Sequence, residues 1–173
     1  GYEYFEKEDN YIYTVAQFFP RMCVYDDVSG WQNKQFLGRG EFTLPFGNYD
    51  VSITVPSDHI LGATGELQNS SSILSSDQRK RLEQAKKSDS PVLIVTEEEA
   101  KASEVAHSKA TKTWKFKASN VRDFAFASSR KFIWDAQNTT VGGKDVLCMS
   151  YYPKEGNPLW ERYSTKLVAH TVQ

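Results

Sequence analysis

The chain has 173 residues, of which 39% are apolar and 13% aromatic. That suits one domain with a sizeable core and is too rich for a disordered chain. With 21 basic and 22 acidic residues the net charge is -1, which excludes a general electrostatic pull toward nucleic acid or an anionic membrane.

The opening GYEYFEKEDN is acidic and aromatic, unlike a secretory leader. No apolar run approaches the roughly 20 residues of a membrane-spanning helix. Residues 2–5 and 11–19 are rich in Tyr, Phe, Ile and Val and read as strands, with Glu6 to Asn10 as the turn between them. Asp26, Asp27, Ser29 and Gly30 are turn residues, and Trp31 to Gly40 is a polar loop. Glu41 to Leu44 reads as a strand. From Tyr49 to Val55, apolar Tyr49, Val51, Ile53 and Val55 alternate with Asp50, Ser52 and Thr54. That period of two marks a half-buried antiparallel strand, which Pro56 ends. Ile60 to Gly65 is extended, and Asn69 to Ser76 is serine-rich and exposed.

Asp77 to Lys87 then reads as a helix with Ser76 as its N-cap. Only Leu82 and Ala85 give it an apolar stripe. Val92 to Val95 is a strand. Thr96 followed by Glu99 forms a capping box that opens a helix to about His107. The stretch from about 66 to 112 therefore reads as a helical insertion in a β-scaffold. Strands return at Thr111 to Ala118 and at Val121 to Ala127, where Phe124 and Phe126 share a face. Lys131 to Asp135 holds a Phe-Ile-Trp run. Gly142-Gly143 turns a hairpin whose returning strand is Asp145 to Tyr152. Pro158 suits a first helical turn, and Leu159, Tyr163, Leu167 and His170 follow helical spacing. This last helix lacks a C-cap glycine, so the sequence reads as cut rather than finished.

Chemistry-bearing patterns are sparse. His59, His107 and His170 lie far apart, and there is no Cys-x-x-Cys, so the chain offers no zinc-ligand spacing. These histidines read as surface or helix-terminal. No nucleophile elbow or phosphate-binding glycine loop occurs. Gly38-Arg39-Gly40 reads as a turn. Asp26-Asp27 with Glu41 matches no calcium loop, which needs six to eight oxygens. Cys23 and Cys148 read as unpaired buried thiols. Most aromatics are placed in the core by strand alternation; Trp31, in its polar loop, is the one most open to binding a glycan or a protein.

The run YIYTVAQFFPRMCVYDDVSGW, continued by FGNYDVSITVPSDHILGATG, resembles the N-terminal β-domain of the aminopeptidase N-like zinc metallopeptidases, the gluzincins. Gln17, Arg21, Cys23, Asp26, Asp27 and then Val55-Pro56 stand in the family's order. The likeness is greatest to its bacterial branch, and it extends through Val121 to Ala127 and Pro153 to Gln173. It implies a mainly β, antiparallel, saddle-like or sandwich domain over 1–157, then a linker helix over 158–173 leading to a catalytic domain absent from this sequence. It implies that Gln17 lines a peptide cleft. Where the family carries a Gln or Glu that binds the substrate's free amine, this chain has Phe19, which accepts no hydrogen bond. The zinc motif H-E-x-x-H and the Gly-x-Met-Glu-Asn loop do not occur, so zinc is expected only in the absent domain.

The expectation is thus a non-catalytic wall of a metallopeptidase's peptide cleft. Its expected partners are its own catalytic domain and peptide substrate, with self-association of the isolated piece through an uncovered apolar face. The alternative is a free-standing β-sandwich module that binds glycan or protein. The compartment is not set by the sequence.

Overall fold

A computed structural model describes residues 1–35, 38 and 42–173. In chain order the strands are β1 (Tyr2–Phe5), β2 (Asn10–Val15), β3 (Tyr25–Asp26), β4 (Gly30–Trp31), β5 (Gly47–Pro56), β6 (Ile60–Ala63), β7 (Glu66–Leu67), β8 (Val92–Val95), β9 (Thr111–Val121), β10 (Phe126–Ser129), β11 (Ile133–Val141) and β12 (Lys144–Tyr152). The helices are α1 (Ser70–Ile73), α2 (Ser76–Ala85), α3 (Glu97–Ala106) and α4 (Leu159–Val172). The protein is mainly β, with antiparallel pairing and a C-terminal helix, as the sequence implied. Its sheets run β1-β2-β10-β6, β12-β11-β8 and β5-β9-β7, with β3-β4 a small separate hairpin.

The period of two in β5 is realised strictly. Tyr49, Val51, Ile53 and Val55 are half-buried, while Asp50, Ser52 and Thr54 face water. Val51 stands opposite Phe116 and Ile53 opposite Trp114. On β9, Trp114, Phe116 and Ala118 are buried while Lys115 and Lys117 are exposed. These cross-strand pairs are the packing unit of such a sheet. They meet Ile60, Leu61, Phe124, Phe132 and Trp134 in one core cluster.

β11 is buried on both faces. Trp134 and Ala136 point into that main core, whereas Ile133 joins Tyr152 and Ala100 of α3 in a second cluster. The segment between β7 and β9 is built into this body. β8 pairs with β11, and Leu82, Ala85, Ile94 and Val95 belong to the main core. Capping boxes start both longer helices of this segment, Ser75 with Gln78 and Thr96 with Glu99. The N-cap of α2 is therefore Ser75, one residue before the expected Ser76.

Several local expectations fail for identifiable reasons. β2 stops at Val15 rather than continuing to Phe19, because Gln17 adopts a left-handed backbone with φ 53°. Val121 to Ala127 is not one strand. Asn120 turns at φ 57°, and Asp123 then accepts the Phe124 N–H at 2.7 Å. Phe124 is thereby directed into the core before β10 begins at Phe126. Phe42 to Leu44 carry no strand, and Glu41 lies outside the described residues, as do Arg39 and Gly40 of the expected glycine turn. The serine-rich stretch holds the short helix α1. His59 is neither superficial nor helix-terminal but buried. His107 does end α3, in a left-handed cap.

Candidate functional site

Gln17 sits in the turn that leaves β2, exposed, between a strand edge and a hydrophobic anchor. The anchor is Phe19, half-buried, with its ring edge-on to Tyr49 at 5.9 Å and to Phe18 at 5.0 Å. The Arg21 guanidinium lies 5.5 Å from the Phe19 ring and pairs with Asp123 at 2.6 Å. Asp123 is the residue that redirects Phe124, so one carboxylate ties the segment after β2 to the connection between β9 and β10. Phe19 also lines a small cavity of about 260 Å³ with Pro20, Met22, Pro45, Phe46 and Arg122. The structure thus separates the two residues singled out by resemblance. Gln17 presents an amide to solvent, and Phe19 packs inward.

The acidic turn is structural. Asp26 Oδ1 accepts the N–H groups of Val28 at 3.0 Å and Ser29 at 2.6 Å, and Oδ2 accepts Gln32 Nε2 at 2.6 Å. The Ser29 N–H above all holds its carboxyl below the usual range. No group of three or more metal-ligating side chains exists among the described residues. Trp31 ends β4 rather than starting a loop, with 55% of its surface exposed and its ring edge-on to exposed Tyr25 at 5.2 Å. Trp114 and Trp134 are core. Cys23 and Cys148 are free; Cys148 is buried, which raises its thiol pKa, but Cys23 is only half-buried.

Three groupings were not legible as sites. The first surrounds His59, whose Nδ1 is 2.8 Å from Ser128 Oγ and whose Nε2 has no hydrogen-bond partner among the described residues. Burial lowers its pKa to about 4, helped by Arg130. Asp58 next to it binds Arg130 at 2.8 Å and the Ser108 N–H at 2.5 Å. Both contacts use Asp58 Oδ2, and among the described residues no hydrogen bond joins Asp58 to His59, so the three side chains do not form a Ser-His-Asp relay. The second is a buried ion cluster. Lys131, fully buried, meets Glu155 at 2.9 Å, Glu104 at 3.1 Å and Glu8 at 3.7 Å, and Lys154 also binds Glu104.

The third is a cavity of about 620 Å³ bounded by β6, β7, α2, β9 and the β11–β12 hairpin. Leu61, Leu67, Leu82, Phe116, Leu147 and Met149 form much of its wall, with Trp134 stacked on Tyr151 at 5.2 Å. Glu66, Lys86 and Asp145 are its charged members. Alternation foretold the apolar faces of these strands, but their convergence on one space depends on long-range pairing that no local pattern encodes.

Gly62 explains how Tyr151 reaches its place. A Cβ on residue 62 would lie 2.7 Å from the Tyr151 ring, so only glycine leaves room.

Comparison with protein-family models, with curated proteins and with solved structures finds no match to this chain.

Proposed function

We propose that this chain is the non-catalytic β-domain of an aminopeptidase-like zinc metallopeptidase, forming one wall of a peptide cleft and packing against a catalytic domain. The observation that carries this reading is the exposed apolar face of α4. This helix buries Thr165 and Ala169 against its own domain. Leu159, Trp160, Tyr163 and Leu167, spaced as neighbours on successive turns, are all exposed. A contiguous apolar stripe on a surface helix marks a protein contact rather than a solvated face. Under this reading the stripe meets the catalytic domain. The exposed Gln17 amide supports the same reading, because among the described residues neither its donor nor its acceptor has a hydrogen-bond partner, so both can meet a peptide backbone.

Zinc, the attacking water and the general base would come from that other domain. This chain's own part is to position and to cover. The test is a peptidase assay of the 173-residue chain with leucine p-nitroanilide and added zinc. No turnover is expected, and turnover would overturn the reading. Gel filtration should show concentration-dependent self-association that Leu167→Glu abolishes. In a chain that continues into an H-E-x-x-H domain, Gln17→Ala should raise KM more than it lowers kcat.

A second reading is favoured by the Tyr25–Trp31 pair, two exposed rings in edge contact on a small hairpin. Such rings suit a glycan or a protein ligand. Retention on a glycan matrix that Trp31→Ala removes would favour this module over the peptidase domain.

A further inference from the structure

We propose that Lys112 is an acylation site, an amine that takes the acyl group of a small acyl phosphate ahead of the lysines exposed on the surface. Neither Gln17 nor α4 takes part, so the site stands or falls separately from the peptidase reading.

Strand geometry sets this amine apart. Residues 112, 114, 116 and 118 of β9 share one face. Trp114, Phe116 and Ala118 are buried there, and Lys112, half-buried, begins the same core-facing row. Opposite it on β5 stands Val55, which packs against the main core. The Lys112 ammonium lies 5.0 Å from the ring centroid of Trp114, a residue with no exposed surface. Lys115 and Lys117 point the other way and are exposed.

Lys112 makes no ion pair among the described residues. The nearby Asp58 spends its Oδ2 on Arg130 and on the Ser108 N–H. Burial of the ammonium therefore prevails over the pull of Asp58 and pushes the Lys112 pKa down to about 8. At pH ~7.5 about a quarter of the amine is then neutral, against roughly one in a thousand for an ordinary lysine. Lower basicity also weakens a nucleophile. Scaled as it is for thiols, that loss leaves a net gain on the order of tenfold.

The surroundings select the donor. A half-buried amine admits a small reagent. Around His59, Lys112 and Arg130 set two cations against the Asp58 carboxylate, which favours an anionic reagent such as an acyl phosphate. The neutral Nζ attacks the acyl carbon and forms the C–N bond. The C–O bond to phosphate breaks, phosphate leaves with the electron pair, and the surplus proton on nitrogen passes to solvent. The product is a neutral amide. Its formation removes one of the charges that lower the His59 pKa, so that pKa should rise.

The test is acetyl phosphate treatment of the folded chain near pH ~7.5, followed over time by site-resolved mass spectrometry. Lys112 should be acetylated at least threefold faster than the exposed Lys34, Lys109, Lys115 and Lys144. In concentrated urea that preference should vanish. As pH rises, the Lys112 rate should level off above about 8 while the exposed lysines continue to gain. Of its charged and titratable neighbours, Arg130 stays cationic, Asp58 ionised and His59 neutral over that range, so the levelling belongs to Lys112. Val55→Glu places a carboxylate opposite the ammonium and should slow Lys112 at least threefold. An unchanged rate in that variant would overturn the proposal. So would a Lys112 rate no greater than that of the surface lysines, or a preference that persists in urea. These last comparisons use the unaltered chain, so they decide the matter even where Val55→Glu fails to fold.

Discussion

Thr165, in the middle of α4, donates its hydroxyl hydrogen to the Asp135 carboxylate of β11. The same carboxylate accepts the Tyr152 hydroxyl at 2.7 Å, and Thr165 shares a further hydrogen bond with Ser150 at 2.7 Å. Asp135 is 1% exposed and faces no cation within this network. Burial therefore raises its pKa, against the pull of the two hydroxyls. The terminal helix is thus fastened to the sheet by a desolvated carboxylate whose charge rests on hydroxyl donors.

Thr165→Val keeps the shape and removes the donor. Asp135 is then left buried with one hydroxyl fewer, which should cost about 1–3 kcal/mol. The expected result is a lower urea midpoint with an unchanged slope. Thr171→Val, at an exposed hydroxyl that donates to the Leu167 carbonyl of its own helix, should change stability by no more than a few tenths of a kcal/mol.

His59 should make stability depend on pH. Its folded pKa is about 4, lowered by burial and then by Arg130, with Asp58 opposing and Lys112 adding to the decrease. The unfolded value is near 6.5. Below pH 6.5 the unfolded chain binds a proton that the folded chain refuses. Stability therefore falls as pH drops from about 6.5 to 4 and levels off below that. The total loss from this group is on the order of 3 kcal/mol. His59→Gln should flatten this part of the pH–stability profile. A profile that the substitution leaves unchanged would assign the slope to other groups.

The parts of the fold visible in the sequence are those set by neighbours in the chain. The alternation of β5, the Thr96–Glu99 box and the Gly142-Gly143 turn, with φ 56° and 77°, each depend on a few adjacent residues. What stayed hidden depends on distant ones. Val121 to Ala127 reads as a strand by alternation, yet Arg21, about a hundred residues earlier, fixes Asp123 and helps break it. Likewise no neighbour in the chain announces the burial of Lys131, which depends on Glu8, Glu104 and Glu155 arriving from three separate elements. Gln17 was legible as an exposed position only through resemblance, because its left-handed backbone is unusual for a glutamine.

The Lys131 cluster should be fragile to single changes and tolerant of paired ones. Lys131→Met leaves Glu104, 5% exposed, with Lys154 as its remaining cation. Breaking one partner of a buried pair typically costs about 3–5 kcal/mol. Adding Glu104→Gln removes the stranded charge and should restore part of that loss. A double-mutant cycle by denaturant unfolding reads the coupling directly. Additive effects of the two substitutions would mean that the pair contributes no coupling.

Gly65 and Gly143 separate two costs that are often merged. Both have positive φ, 91° and 77°, so alanine is strained at either. At Gly143 an added Cβ meets nothing within 4 Å, so only the backbone cost of about 1–2 kcal/mol applies. At Gly65 it would lie 2.4 Å from the Lys117 carbonyl oxygen and 2.8 Å from the Ala118 Cβ. That oxygen belongs to β9, which is held by β5 on one side and β7 on the other and has little freedom to yield. Overpacking adds roughly 1–3 kcal/mol where neighbours must shift. Gly65→Ala should therefore destabilise the chain clearly more than Gly143→Ala, by thermal or urea unfolding. It should also disturb amide resonances along Glu66 and Leu67, which line the large cavity. Equal effects at the two glycines would show that β9 gives way and that the close approach at Gly65 is not a rigid constraint.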